Sequence, residues 1–357
     1  MKKKNFLQIY KNKKVLITGT TGFKGSWLAF WLNKIGARVY GVSLKEKKKD
    51  YIFSALRIEK KIKQYYLDIN NFDKINNIIK KIKPEIVFHL AAETVVSDSF
   101  NHPLQTFKTN LLGGANVLES CRINKIKNLI FITSDKCYEN KRIDKPLTER
   151  DRIGGIDPYS ASKSGAEIIF HSYVNSFLLN KNFINYGSCR AGNVVGGGDN
   201  RENGIISDIV KSIINKKKLT IRNPRHIRPW QHVIDALYSY LLLGEYFIMN
   251  KLNKKIYPSW NFGPNYEKSQ NVLNLTKLFL KIWGVKKTII FKKKNFNETK
   301  YLILSAEKAK KELKHQNLLN FEENIALTVD WYKNYFFNKQ KIEEITLSQI
   351  DYFLKKL

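Results

Sequence analysis

The chain has 357 residues, 43% of them hydrophobic and 13% aromatic, which excludes a disordered chain and describes a globular protein with room for two domains or one large one. Its 63 Lys and Arg against 31 Asp and Glu give a formal net charge of +32, yet the lysines run from Lys2 to Lys356 without gathering in a patch, so solvated surface charge explains them better than a nucleic-acid partner. No apolar run reaches the roughly 20 residues of a spanning helix, Met1-Lys2-Lys3-Lys4 opens no signal peptide, and Cys121, Cys137 and Cys189 share no paired spacing, so the reading is a cytoplasmic protein with reduced thiols, no membrane contact and no metal site.

In chain order, Lys14-Val15-Leu16-Ile17-Thr18 is a short apolar strand, followed at once by Gly19-Thr20-Thr21-Gly22-Phe23-Lys24-Gly25 and an apolar segment from Trp27 to Leu32. Strand, glycine turn and helix is the arrangement that cradles phosphate. Gly19 permits the tight turn, Gly22 lets the backbone approach a pyrophosphate and Gly25 lets helix and strand pack closely. Gly19, Thr21, Gly22, Phe23 and Gly25 are therefore candidate dinucleotide contacts. The next strand, Arg38 to Ser43, ends without the acidic residue that commonly takes the adenosine ribose. Ser43, Leu44 and Lys45 stand there, with Glu46 late, which leaves NAD against NADP open. Tyr66-Leu67-Asp68-Ile69 reads as a further strand end, with Asp68 and Ile69 set to meet the adenine; Asp68 could equally cap a helix from Phe72 to Ile82. Pro84 to Glu93 is a buried strand running into the small turn Leu90-Ala91-Ala92, which leaves room for a cofactor, and His89 within it reads as a satisfied core histidine.

After Asn110 to Gly114 a helix runs to about Arg122, and the apolar run Leu129 to Ile132 then ends in Thr133-Ser134-Asp135-Lys136, polar side chains at the end of a buried strand. A helix starting near Pro158 puts Tyr159 and Lys163 four apart on one face. An ammonium beside a phenol pulls the phenol's pKa down from about 10. Tyr159 is thereby a candidate general base or acid, with Lys163 as its supporting charge and Ser134 as its hydrogen-bond partner. Strands and helices alternate at short intervals, which predicts an α/β fold: a Rossmann-type doubly wound parallel sheet whose strand ends bring Gly19, Ala91, Ser134 and the Tyr159 helix to one edge.

These residues resemble the extended short-chain dehydrogenase/reductases, and among them the nucleotide-sugar 4,6-dehydratases. Gly19/Gly22/Gly25, His89-Leu90-Ala91-Ala92, Ser134-Asp135, and Tyr159 with Lys163 match in order. Thr18 to Trp27, Thr133 to Asn140, Arg190 to Asp199 and Ile221 to Val233 resemble the CDP-glucose branch of that family closely. Where most of the family carries Asp-Glu, this chain has Asp135-Lys136, and the CDP-glucose enzymes share that lysine. The resemblance implies an NAD-binding domain over 1–188 and about 231–263, with a smaller C-terminal α/β substrate domain over 189–230 and about 264–357. It also implies NAD as cofactor, CDP-glucose as substrate, and a homodimer or higher homo-oligomer through the helices of Asn110 and Tyr159. Asn193 resembles the family residue that meets the substrate's diphosphate. Arg222, Arg225 and Arg228 lie close together in a chain that otherwise prefers lysine, and arginine's planar fork suits paired phosphate oxygens, so Arg222 and Arg228 are expected on the diphosphate.

The implied reaction is an internal redox elimination. Tyr159 takes the C4 hydroxyl proton as hydride leaves C4, the 4-keto group acidifies C5, Lys136 removes the C5 proton, and protonated Asp135 donates to the departing C6 hydroxyl before hydride returns to C6. Lys136 serves as a base only when neutral, and burial and the Lys163 charge both push it that way. A nucleotide-sugar 4-epimerase would use Tyr159 and Lys163 but not the pair at 135 and 136. A dehydratase acting on another nucleotide sugar would need the same groups, whereas a non-catalytic dinucleotide sensor would typically lose the Tyr159 and Lys163 pair that this chain keeps. Further along, Leu219 to Pro224 reads as a strand, Val233 starts a helix and Trp260 to Gly263 resembles the family's last strand before the C-terminal part. Beyond Tyr266 the pattern predicts a helix over Asn271 to Trp283, a strand over Thr299 to Leu302, and helices over Ser305 to Leu313 and Phe321 to Phe337. Trp331, Tyr332, Tyr335, Phe336 and Phe337 are expected in the core, and the amphipathic tail after Lys339 has no assigned role.

Overall fold

Seven short segments, most of them dominated by apolar and aromatic residues, pair into one parallel sheet: β1 (Lys14–Thr18), β2 (Arg38–Ser43), β3 (Lys63–Tyr66), β4 (Ile86–His89), β5 (Asn128–Ile132), β6 (Asn185–Ala191) and β7 (Ser259–Phe262). The computed structural model describes residues 3–46, 52–139, 145–178, 185–250, 258–264, 269–292, 302–338 and 341–357. The spatial order is β7-β6-β5-β4-β1-β2-β3, so it reverses between β1 and β4. Open α/β sheets bind their ligands at the carboxyl ends of strands beside such a reversal. Those ends are level here, with Thr18 opposite Val42 and His89, His89 opposite Phe131, Ile132 opposite Cys189, and Ala191 opposite Phe262.

β4 to β7 are buried at every position, as a sheet covered on both faces requires. The covering helices are α1 (Phe23–Lys34), α2 (Phe72–Ile82), α3 (Gly114–Ile123), α4 (Pro158–Tyr173) and α5 (Val233–Met249). Side chains alternate across the pleat. Val15, Ile17, Phe88 and Ile130 share one core with residues of α1 and α5, while Leu16, Val87, Leu129 and Phe131 share the other with Ile75, Val117 and Phe170 of α2, α3 and α4. His89 is a satisfied core residue: its Nδ1 is 2.8 Å from Thr18 Oγ1, its ring lies 4.8 Å from that of Phe131, and burial lowers its pKa to about 3.

The remaining chain adds three strand pairs, Val194–Val195 with Gln231–His232, Ile227–Arg228 with Gln270–Asn271, and Leu219–Arg222 with Ile289–Lys292. It also adds helices α6 (Val272–Trp283), α7 (Phe321–Phe337) and α8 (Ile342–Lys355). Trp331 and Tyr332 are buried as expected, whereas Phe337 at the end of α7 is 68% exposed. Gly197 lies flat on Trp331, where a Cβ would come within 2.0 Å of the indole. The strand expected over Thr299 to Leu302 falls mainly outside the described residues, as do Asn140, Tyr266 and Lys339. The unassigned tail forms α8, which closes over α1. Phe353 meets Trp31 edge-on at 6.1 Å, Trp331 Nε1 donates to Thr346 Oγ1 at 3.0 Å, and Glu343 pairs with Lys34 and Lys61 at 2.7 and 2.9 Å. Among the described residues no helix is long and apolar enough to cross a membrane.

Candidate active site

The glycine turn has the geometry of a phosphate cradle. Gly19 sits at φ +80°, and a Cβ there would come within 2.7 Å of the Ala91 amide nitrogen, so only glycine allows β1 to turn this tightly against the exit of β4. A Cβ on Gly25 would stand 2.0 Å from the Gly19 carbonyl oxygen, which keeps α1 against the turn. Gly22 is the N-cap of α1 and supplies no side-chain cap, so the first-turn amides point outward as donors for an anion. This donor set fits the pyrophosphate of a dinucleotide. Phe23, Leu90 and Ala92 line the same cleft as Tyr159 and Lys163, and Thr21 Oγ1 donates to the Leu44 carbonyl at 3.2 Å beside the end of β2. There Ser43 Oγ is held by Thr20 and Gln64 at 3.3 and 2.9 Å, with no carboxylate in that cluster.

Asp68 and Ile69 follow β3, at the far edge of the sheet from β7. Asp68 is not the helix cap that its position also allowed. Asn71 caps α2 by accepting from the Lys74 amide, and Asp68 instead accepts from the Asn70 amide at 2.9 Å in a local turn. Ile69 is buried, and its carbonyl accepts from Asn116 at 2.9 Å.

At the other end of the cleft the catalytic candidates converge. Asp157 accepts from both the amide and the hydroxyl of Ser160, at 2.9 and 2.6 Å, and starts α4 with Pro158 in its first turn, so Tyr159 and Lys163 project on one face. β5 ends at Ile132 and a short 3₁₀ turn, Asp135–Cys137, holds the next residues under that face. Ser134, Asp135, Tyr159 and Lys163 are all buried, Lys136 is partly exposed, and Ser134 lies near enough to the Tyr159 hydroxyl to favour its ionised form. Ser134 Oγ donates to Asp135 Oδ1 at 2.9 Å, while Asp135 Oδ2 is buried without a hydrogen-bond partner among the described residues. Burial raises the Asp135 pKa, which favours the protonated acid that a leaving hydroxyl needs.

The expectation that Lys163 draws the Tyr159 phenol downward does not hold. Burial pushes Tyr159 up to about 12 against the opposing hydrogen bond from Ser134, and burial, reinforced by the charge of Lys24, brings Lys163 down to about 7. Both effects have one cause, since a dry cleft penalises phenolate and ammonium alike.

Two cations were not singled out by the sequence patterns. Lys24, inside the glycine motif, turns into the cleft and donates to the Tyr240 hydroxyl at 3.2 Å; burial lowers its pKa to about 8. The signal was available, as a charged residue inside the glycine motif three positions before the apolar run of α1. Arg201 lines the cleft with its fork on Asp199 at 2.7 and 2.6 Å, and nothing in its local sequence marks it. Asn193, Arg222 and Arg228 line the cleft as well. Arg228 is buried near enough to Asp135 to act on its charge, and Arg222 is already paired with Asp208 at 2.6 Å.

A family model described as GDP-mannose 4,6 dehydratase matches residues 16–328. The chain is 37% identical over 336 residues to the CDP-glucose 4,6-dehydratase of Salmonella typhimurium, covering 92% of each protein. It is 32% identical over 252 residues to the dTDP-D-glucose 4,6-dehydratase of Dictyostelium discoideum, covering 65% of this chain and 56% of that one. Among solved structures, a UDP-glucose 4-epimerase of Thermotoga maritima superposes with TM-score 0.78 at 23% identity, covering 90% of this chain and 99% of the other. The dTDP-glucose 4,6-dehydratase of Bacillus anthracis in complex with NAD superposes with TM-score 0.76 at 19% identity, covering 93% and 99%.

Proposed function

The chain belongs to the GDP-mannose 4,6 dehydratase family and is a nucleotide-sugar 4,6-dehydratase, a hydro-lyase; from that premise we propose CDP-glucose as its substrate and NAD as its bound dinucleotide. The observation that carries the reading is the grouping of Ser134, Asp135, Tyr159 and Lys163, with Lys136, at the end of one cleft whose other elements form a glycine cradle. Gly19, Gly22 and Gly25 would hold the dinucleotide, with Leu90, Ala91 and Ala92 alongside and Asp68 and Ile69 at the adenine. The dinucleotide supplies one thing, an acceptor for the hydride of sugar C4 that gives it back at C6.

The residues of the chain do the rest. Tyr159, oriented by Ser134, takes the proton of the C4 hydroxyl. The 4-keto group acidifies C5, and Lys136 takes the C5 proton. Asp135 delivers its own proton through Oδ2 to the C6 hydroxyl, which leaves as water and creates the C5–C6 double bond. Lys136 returns a proton to C5 as C6 is reduced, and the proton that Tyr159 took from the C4 hydroxyl passes back to Asp135, so the groups are restored and the net change is loss of one water. Asn193, Arg222 and Arg228 hold the diphosphate, which makes 189–230 and 264–357 the substrate part and 1–188 with 231–263 the dinucleotide part. Arg222 would exchange its pairing with Asp208 for a phosphate.

The base preference rests on 37% identity to a CDP-glucose enzyme and on the resemblance of Asp135-Lys136 to that branch. Incubation with NAD and, separately, CDP-glucose, dTDP-glucose, UDP-glucose and GDP-mannose should yield a 4-keto-6-deoxy product from CDP-glucose at a kcat/KM at least tenfold above the others. Equal turnover of another nucleotide would overturn the preference and leave the reaction class standing.

We place this activity in the cytoplasm, in a homodimer. Support for the dimer comes from Leu104, Leu112 and Ile168, which are 83%, 59% and 61% exposed on the Pro103–Phe107, Lys108–Gly113 and α4 helices. Leu112→Glu combined with Ile168→Glu should convert the dimer to monomer in light scattering. A wild-type protein that is already monomeric at micromolar concentration would refute this interface.

A further inference from the structure

Behind the catalytic face lies a buried ion pair that the reaction does not touch. Glu167 stands one turn beyond Lys163 on α4, and both its carboxylate and the Arg190 guanidinium of β6 are fully buried, with Arg190 Nη2 donating to Glu167 Oε2 at 2.6 Å. The other carboxylate oxygen, Oε1, accepts from the hydroxyl of Thr133, the residue immediately before Ser134, and Ser188 Oγ of β6 donates to Oε2 at 3.0 Å. From the opposite side Arg190 Nη1 donates to the Tyr138 hydroxyl at 2.8 Å and to the Glu149 carbonyl at 3.0 Å, with the Tyr138 ring 5.0 Å from the guanidinium. Tyr138 directly follows the Asp135–Cys137 turn. One charged pair thus joins the helix that carries Tyr159 and Lys163 to both ends of the segment that carries Ser134, Asp135 and Lys136.

A buried ion pair is a poor device for stability, because desolvation of the two charges cancels most of their attraction and apolar replacements often do as well. What it does supply is direction. The charge-assisted hydrogen bonds of Glu167 to Thr133 and of Arg190 to Tyr138 set how the elements they join sit relative to one another. We infer that Glu167 and Arg190 are positioning residues that hold the Tyr159 helix and the Ser134–Lys136 turn at the spacing proton transfer requires, and that their contribution is to turnover and not to substrate binding. The inference rests on the dehydratase reading, in which those two elements must act on neighbouring carbons of one sugar. A misplacement of about 1 Å between catalytic groups costs on the order of a hundredfold in rate.

The test compares Glu167→Gln with Glu167→Gln combined with Arg190→Gln. The single variant strands a buried guanidinium and should melt well below the wild type. The double variant removes the stranded charge and should recover most of the lost melting temperature. Its kcat should nevertheless stay about a hundredfold down, with KM for the nucleotide sugar within threefold of wild type. Hydrogen exchange followed by mass spectrometry should show faster exchange in peptides spanning 133–138 and 158–164 of the double variant, with the rest of the sheet unchanged. Recovery of kcat together with melting temperature, or a rise in KM matching the fall in kcat, would mean that the pair is only structural. The exchange measurement needs no turnover. If wild type dehydrates no sugar, the dehydratase reading fails, while unchanged exchange in those two peptides overturns the positioning role independently.

Discussion

Replacing Tyr159 with phenylalanine is expected to lower kcat on the order of a thousandfold, within the range that positioned proton transfer contributes. The variant keeps the ring and its packing and loses only the hydroxyl beside Ser134. Sugar oxidation is the first step of the sequence, so the variant should form no reduced nicotinamide on mixing with nucleotide sugar. The pH dependence is part of the expectation. Burial pushes the phenol of the free protein up to about 12, so at neutral pH its ionised fraction is small and grows with pH. Wild-type kcat/KM, which reports ionisations of the free enzyme, should therefore climb as pH rises through the neutral range. The residual rate of the variant should lack the rising limb. Retention of a tenth of wild-type activity would remove Tyr159 from the proposed role.

Lys136→Ala separates the dehydratase from its epimerase relatives. C4 oxidation needs Ser134, Tyr159 and Lys163, which the variant keeps; removal of the C5 proton needs Lys136. Reduced nicotinamide should accumulate when the nucleotide sugar is added, while 4-keto-6-deoxy product falls by roughly a thousandfold or more. In deuterated water the wild-type product should carry deuterium at C5, and any product from the variant should form with no faster exchange at that carbon than the uncatalysed rate. The side chain lies where this is possible, lining the cleft next to Asp135, whose Oδ2 has no hydrogen-bond partner among the described residues. Unimpaired dehydration by Lys136→Ala would move the base elsewhere in the cleft, where Lys163 and Lys24 are lowered to about 7 and about 8.

Much of this site was legible one segment at a time. The apolar run to Thr18, the glycine spacing, the polar residues after Ile132 and the Tyr159–Lys163 interval are local patterns, and local patterns are set by backbone sterics and side-chain period. The Asp157-Pro158 start of α4 follows from capping chemistry within three residues. What could not be read correctly depended on geometry beyond the local pattern. The Asp68 cap is the exception, a local misreading: Asn71 stands directly before Phe72, and its oxygen accepts from the Lys74 amide three residues on. The tail after Lys339 shows an apolar face, but that Trp31 and Trp331 lie on the other side of it is a fact about elements brought together only by the fold.

The sequence by itself determined the order of strands and helices, the glycine cradle, and the identity of the groups available for proton transfer, because each of these is fixed by neighbours within a few residues. Only the tertiary structure decided their protonation and their alignment. Tyr159 and Lys163 are four apart in any helix, yet their pKa values move apart from expectation because the fold buries both and brings Lys24 from α1 beside them. Thr133, Glu167 and Arg190 carry no signal alone and meet only where β5, α4 and β6 pack, since a buried charge is tolerated only where a distant partner completes its hydrogen bonds.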